Sequence, residues 1–459
     1  MSTGKKIIIG LICVLFLLTA GAYGVGVYYF TNHFLPGSVV NSFNCSYMSE
    51  EETEELLSKQ TKAYVLTLYT RNGGIESLTA EQLGLTYISD GTVKKLMREQ
   101  NRFLWFLSFQ QSEEYQMTVN SRCGEQTLSD AIYNLDCMQL SNTTLTSDAF
   151  IKESEEGYLI VPEVQGNELN YERVYENIVN AAVSGRTELN LEESGCYEKP
   201  EVYQDDERLI SNCEFMNAVT DVIITYDFAD RTETVDKEVI KDWITWDQDG
   251  YCTLDKEAMS LFVSNLAYQY NTVGAVRTFI TYDNRTVTIE GGDYGWIIDE
   301  QAETDALAAA IFSGETQVRE PVYTNSGWCR DSNDIGYSYL EVDLTNQRMV
   351  LYLDGKPIVD TRIVSGNPNF AGAETPTGCF SVKAMQSPAE VNCDGFLTNV
   401  NYLLNFAGDL SVHDASWRTE FGNNLYLLEG TYGCIHVPYE NMAAVYANAG
   451  INFPVVIYK

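Results

Sequence analysis

Histidine is scarce, with three in 459 residues at positions 33, 413 and 436, and no two cysteines stand as Cys-x-x-Cys. Zinc centres are assembled from such ligands, so a metal site is excluded as a first reading and the sequence calls for no cofactor. Basic residues are few as well. Only 29 Lys and Arg oppose 65 Asp and Glu, a formal charge of −36. A surface of that sign repels phosphate backbones, which excludes nucleic acid as a partner. Ser338 to Lys459 holds 6 basic and 12 acidic residues, so the acid excess sits in the front two-thirds. Hydrophobic residues at 45% and aromatics at 12% exclude global disorder, and the length is that of about three domains.

Ile7 to Phe30 carries no charge over 24 residues. A helix of that length rises roughly 36 Å, enough to cross a bilayer with some tilt. Ala20, Gly21 and Ala22 supply the alternative of a cleaved signal peptide, but the run is longer than a signal's apolar region and continues through Val25 to Phe30. Lys5 and Lys6 precede it and no basic cluster follows. The positive-inside bias therefore predicts a single-pass anchor in the cytoplasmic membrane with the bulk of the chain outside, and Tyr28, Tyr29 and Phe30 suit the outer interface. Among eleven cysteines, Cys123 with Cys137, Cys196 with Cys213, and Cys379 with Cys393 are spaced to close short disulfide loops in that compartment.

Between about Ser49 and Pro321 extended runs alternate with amphipathic helices, and two stretches resemble one another. Tyr64-Val-Leu-Thr-Leu-Tyr matches Asp221-Val-Ile-Ile-Thr-Tyr as a strand opening, followed by helix starts at Thr79-Ala-Glu-Gln and Val235-Asp-Lys-Glu. The closings match better: Asn177-Ile-Val-Asn-Ala-Ala-Val-Ser-Gly against Ala306-Leu-Ala-Ala-Ala-Ile-Phe-Ser-Gly, each predicting a helix, a glycine stop, then a strand. From Ser338 the pattern becomes short strands over Tyr339 to Leu344, Met349 to Leu353 and Ile358 to Ser365, with Asp354-Gly355 as a tight turn. One helix is expected over Pro438 to Ala449 and a buried last strand over Pro454 to Tyr458.

The chemistry-bearing residues lie near the end: Ser411-Val-His413-Asp414-Ala-Ser-Trp417-Arg418, then Thr431-Tyr432-Gly433-Cys434-Ile-His436. A cysteine is nucleophilic as the thiolate, which needs a neighbouring base or cation. His413 and His436 are the histidines on hand. Gly433 permits close backbone approach, so its N–H and that of Cys434 are candidates for an oxyanion site. On these residues alone a buried structural cysteine remains open.

The stretch from Tyr339 to Lys459 resembles the catalytic domain of L,D-transpeptidases, the cysteine enzymes that cross-link peptidoglycan. Its pieces occur in order: Tyr339-Leu-Glu-Val-Asp-Leu with Gln347, Tyr352 and Asp354-Gly355; Val364-Ser-Gly366; Thr375-Pro-Thr-Gly378; His413-Asp-Ala-Ser-Trp; Gly433-Cys434; and a closing Pro-Val-Val-Ile-Tyr. The front stretches resemble the peptidoglycan-binding domains of membrane-anchored members, with Gly291-Gly-Asp-Tyr-Gly-Trp296 the clearest piece. The resemblance implies an anchor over 1–36 and α+β peptidoglycan-binding modules over 37–200 and 201–325 as two tandem copies. A mainly-β, β-sandwich-like catalytic domain follows over 338–459. It implies that Cys434 attacks the carbonyl between the third residue and D-Ala of a tetrapeptide stem, releasing D-Ala and forming a thioester that an amine of a second stem resolves. His413 is then the base and Gly433 part of the oxyanion site, with carbapenem-type inhibitors expected to acylate Cys434. Thr431, Tyr432, His436, Asp414 and Trp417 are supporting or substrate-binding residues. Asp414 fixes the imidazole through its carbonyl or its carboxylate, or is only a solvated loop residue; Trp417 either walls the site or packs in the core. Two departures matter. The family's histidine two before the cysteine is Tyr432 here, and the usual Asn or Arg two after it is His436. A degenerate domain that binds peptidoglycan without turnover is the competing reading, and hydrolysis of the thioester a third.

Overall fold

The computed structural model describes residues 3–393 and 396–459, leaving aside the side chains of residues 393 and 396. The chain forms two compact units, Met1–Lys152 with Ile160–Asp206, and Glu153–Leu159 with Glu207–Lys459.

In the first unit the apolar run forms one helix, Thr3–Tyr29. It alone among the described residues is long and apolar enough to cross a membrane. Helix Glu50–Lys62 follows, started by a capping box in which Ser49 and Glu52 satisfy each other's backbone N–H. Strand Val65–Tyr69 pairs antiparallel with Ile75–Thr79 and parallel with Glu188–Asn190. Helix Tyr171–Val183 packs Val174, Ile178 and Ala181 onto that sheet's core. The helix expected from Thr79 does not form. The Gln82 side chain takes the Thr79 N–H at 2.9 Å, and Gly84 at φ +58 closes the turn that stands in its place.

In the second unit the same strand order recurs: Ile224–Asp227 lies antiparallel to Thr232–Val235 and parallel to Gln317–Arg319. Helix Glu300–Phe312 leads into the third strand. Both closing helices stop at a glycine in the left-handed region, Gly185 at φ +72 and Gly314 at φ +71, where a Cβ would be strained.

The rest of this unit stacks two sheets. One has five strands in the order Lys356–Arg362, Arg348–Leu353, Tyr339–Asp343, Pro454–Tyr458, Gly378–Ser381. The other has four, Ala384–Gln386, Leu403–Ala407, Leu410–Asp414, Ile435–Val437. Leu340, Val342, Phe380, Phe406, Val412 and Ile435 fill the space between them, and helix Tyr439–Asn448 adds Met442 and Val445. Asp354 and Gly355, both at positive φ, make the expected hairpin turn. Strand Pro454–Tyr458 is buried throughout because it lies inside the sheet.

Cys123, Cys137, Cys196 and Cys213 are free thiols, so the spacings of Cys123 with Cys137 and of Cys196 with Cys213 close no disulfide. Cys123, Cys137 and Cys196 instead join one hydrophobic core, and Cys213 donates to the Tyr158 carbonyl at 3.4 Å. The partner expected for Cys379, the side chain of Cys393, lies outside the described residues.

Candidate active site

Two neighbouring strands position the reactive groups. Leu410–Asp414 runs parallel to Ile435–Val437 with His413 opposite His436 and Val412 opposite Ile435. Cys434 is the residue at which the chain enters the second strand, so pairing at about 5 Å brings it beside the strand that carries His413.

His413 is fully buried. Its Nδ1 stands 3.0 Å from the Asp414 carbonyl oxygen. A carbonyl only accepts, so Nδ1 carries the proton and Nε2 the lone pair. That Nε2 makes no hydrogen bond. Burial lowers the imidazole's pKa, outweighing the Asp414 carbonyl and charge that act to raise it, so the ring is held neutral.

The Asp414 carboxylate has other work. It accepts from the backbone N–H of Asn401 at 2.7 Å and of Tyr402 at 2.8 Å, and from Asn401 Nδ2 at 2.9 Å. Its side chain is wholly buried, so it is no solvated loop residue, and only its carbonyl orients His413.

His436 differs from His413 in one contact. Arg418 Nε donates to its Nδ1 at 2.9 Å, and Arg418 in turn donates to the Glu429 carbonyl. With Nδ1 accepting, the single ring proton belongs on Nε2, which has no partner. Burial, helped by His413 and Arg418, lowers the His436 pKa to about 2. His436 is therefore a hydrogen-bond donor and not a base. The two imidazoles meet edge to face with centroids 4.7 Å apart. Trp417, half-exposed at 47%, lies 5.4 Å from His436 and 6.2 Å from His413. It is not a core residue.

The loop before the nucleophile is closed by Thr431. Its Oγ1 accepts from Gly433 N at 3.1 Å and donates to the Cys434 carbonyl at 2.5 Å. The Gly433 N–H is thus engaged inside the turn, which corrects the expectation that it faces an oxyanion. The need for glycine is steric: φ is +103, and a Cβ would meet Leu410 Cδ2 at 2.7 Å. Gly433→Ala is expected to cost about 1–3 kcal/mol, read as a lower melting temperature, and to slow acylation by displacing Cys434. Unchanged melting would show that the loop relaxes freely. Tyr432 is 55% exposed at the surface of the same loop.

Sequence reasoning overlooked the scaffold under this loop. Gln347, buried, donates to Ser365 Oγ at 2.8 Å and accepts from Ser365 N at 2.9 Å, while the Ser365 carbonyl takes Thr431 N–H at 3.0 Å. Thr375 Oγ1 accepts from Gly366 N and donates to the Gly433 carbonyl, both at 2.9 Å. Both residues belong to the motifs quoted above, but their reach to the loop depends on the distant contacts Ser365–Thr431 and Thr375–Gly433. Arg418 was likewise only a neighbour of Trp417 in the sequence. A cleft of about 210 Å³ lined by Ser365, Gly366, Glu374, Thr375 and Tyr426 adjoins the loop. No group of metal-ligating side chains occurs among the described residues.

Residues 337–457 match the family model of the L,D-transpeptidase catalytic domain, YkuD, and residues 205–319 match that named "Putative peptidoglycan binding domain". No curated protein matches the chain. Among solved structures, a point mutant of the Enterococcus faecium L,D-transpeptidase is 32% identical over 53% of this chain and 98% of that one, with a TM-score of 0.45. The catalytic domain of the E. faecium enzyme acylated by ertapenem is 32% identical over 27% of this chain and 98% of that one, TM-score 0.25. L,D-transpeptidase 3 from Mycobacterium tuberculosis with a faropenem-derived adduct is 18% identical over 27% and 60%, TM-score 0.24. The family models, and 32% identity along nearly the whole of the E. faecium chain, show that this chain belongs to the L,D-transpeptidase family.

Proposed function

We propose that this chain is anchored by Thr3–Tyr29 on the wall face of the cytoplasmic membrane and cross-links peptidoglycan stems through a thioester on Cys434. The observation that carries the reading is the state of His413: buried, neutral, its Nδ1–H on the Asp414 carbonyl and its Nε2 bare. Nε2 takes the Cys434 proton as sulfur attacks the carbonyl between the third stem residue and D-Ala. The C–N bond breaks as the imidazolium returns that proton to the D-Ala nitrogen, leaving the thioester. An amine of a neighbouring stem then attacks, His413 accepts its proton, and the thiol is restored. Tyr432, exposed on the same loop, is read as a hydrogen-bond donor toward the substrate carbonyl or the thiolate. Trp417 and the buried His pair keep water from the thioester. The shared strand order and glycine stops of the two front sheets support reading them as tandem copies of a peptidoglycan-binding module.

The test is incubation of the full-length chain in detergent with tetrapeptide muropeptides, followed by mass spectrometry. Cross-linked dimers with free D-Ala are expected; free tripeptide alone would make it a carboxypeptidase, and unchanged substrate would reject turnover. Tyr432→Phe removes one donor and is expected to slow acylation about 10²- to 10³-fold at most. Complete loss in that variant would place the tyrosine in the proton path.

A further inference from the structure

Segment Phe103 to Phe109 presents Phe103, Leu104, Phe106, Leu107 and Phe109 at 45–60% exposure. Five large apolar side chains within seven residues form a patch of the kind that marks an interaction surface. The segment is fixed to the outer part of helix Thr3–Tyr29. The Tyr23 hydroxyl donates to the Phe103 carbonyl at 3.1 Å, and the Tyr23 and Phe106 rings lie 6.3 Å apart. Trp105 rests on Gly26, where a Cβ would stand 2.3 Å from the indole, and its ring is 5.7 Å from Phe30.

Depth follows from arithmetic. The hydrocarbon core is about 30 Å thick and takes about 20 helical residues. Counted from Ile7, just after Lys5 and Lys6, it ends near Gly26. The segment is held at that level, where acyl chains give way to headgroups and aromatic side chains concentrate. Beside it, Lys94, Arg98 and Arg102 line a cavity of about 710 Å³ together with Phe30 and Phe103, and with the carboxylates of Glu50 and Glu99. Lys94 pairs with Glu50 at 3.4 Å, and Arg102 donates to Thr31 Oγ1 at 3.2 Å. In a chain of charge −36, three cations around one cavity beside an apolar patch are an exception to the overall sign.

We propose that Phe103 to Phe109 inserts into the outer leaflet beside the anchor helix, and that the cavity of Lys94, Arg98 and Arg102 receives the phosphate of an anionic phospholipid. The proposal rests on the anchor reading given above. It makes the membrane contact a surface of two elements, which fixes the rotation of the first unit about the helix and not only its tethering.

The experiment places a photo-crosslinking benzoylphenylalanine at Phe106 or Phe109 in the full-length chain, in vesicles of mixed phosphatidylglycerol and phosphatidylcholine, with exposed Tyr268 as control position. Irradiation is expected to give lipid adducts at 106 and 109 and none at 268. Phosphatidylglycerol should be enriched about five-fold over its share, and the enrichment should vanish in the Arg98→Gln, Arg102→Gln double variant while phosphatidylcholine adducts persist. Adducts to protein, or none, in a chain that resists carbonate extraction would overturn the insertion while leaving the anchor standing. Equal labelling of both lipids would overturn the phosphate site. Release of the chain by carbonate would refute the anchor itself, and the proposal with it.

Discussion

Cys434→Ala is expected to abolish carbapenem acylation and cross-linking, with a loss on the order of 10⁶-fold, the scale on which removal of a covalent nucleophile acts. Nothing else in the site replaces it. His436 is locked as a donor by Arg418, and Thr431 Oγ1 is held within its own turn. The fold should not change, because Cys434 is only partly buried and alanine deletes a single sulfur; melting within about 0.5 kcal/mol of wild type is expected. Intact-mass spectrometry after carbapenem treatment reads the outcome directly. An adduct in the variant would mean that another of the thiols reacts, and that the nucleophile is misassigned.

Loss of His413 should be nearly as severe and should carry a pH signature that distinguishes a base from a packing residue. A general base works in its neutral form, and burial lowers the His413 pKa from the ordinary 6.5. Acylation by wild type should therefore stay flat as pH falls through 6.5 and decline only in more acid solution. In His413→Gln the thiol must ionise without a base, so the residual rate should climb through the alkaline range and lie at least about 10²-fold lower at neutral pH. His436→Asn supplies the contrast. It removes a donor and the Arg418 contact but leaves the base, so the rate drops without acquiring the alkaline profile. If His413→Gln keeps the wild-type rate while His436→Asn shows the alkaline limb, the two roles are reversed.

The proposed reactive residues were legible in the sequence because their identities and order survive as short motifs: His413-Asp-Ala-Ser-Trp and Gly433-Cys434 name the candidate base and nucleophile before any coordinates. Their protonation states were not legible. Whether Asp414 orients His413 by carbonyl or carboxylate depends on where the carboxylate goes, and it goes to the N–H groups of Asn401 and Tyr402, across a strand pairing that no local pattern encodes. The oxyanion expectation for Gly433 failed for a related reason. Glycine was read for its freedom of approach, whereas its φ of +103 turns the N–H back onto Thr431. Cysteine spacing showed only that short disulfide loops could close, and the cysteines of the first two pairs are free thiols.

By itself, then, the sequence determined the apolar helix, the hairpin at Asp354-Gly355, the glycine-stopped helices and the buried final strand, since each follows from local sterics and hydrophobic periodicity acting over ten or twenty residues. Tertiary structure alone decided that His413 faces His436 across parallel strands 23 positions apart. It also decided that Arg418 makes the Nδ1 of one imidazole an acceptor while a carbonyl makes the Nδ1 of the other a donor, and that Trp105 finds Gly26. These outcomes turn on burial and on single hydrogen bonds between distant segments. In a low-dielectric interior one such bond settles which nitrogen holds the proton, and sequence distance does not enter that choice.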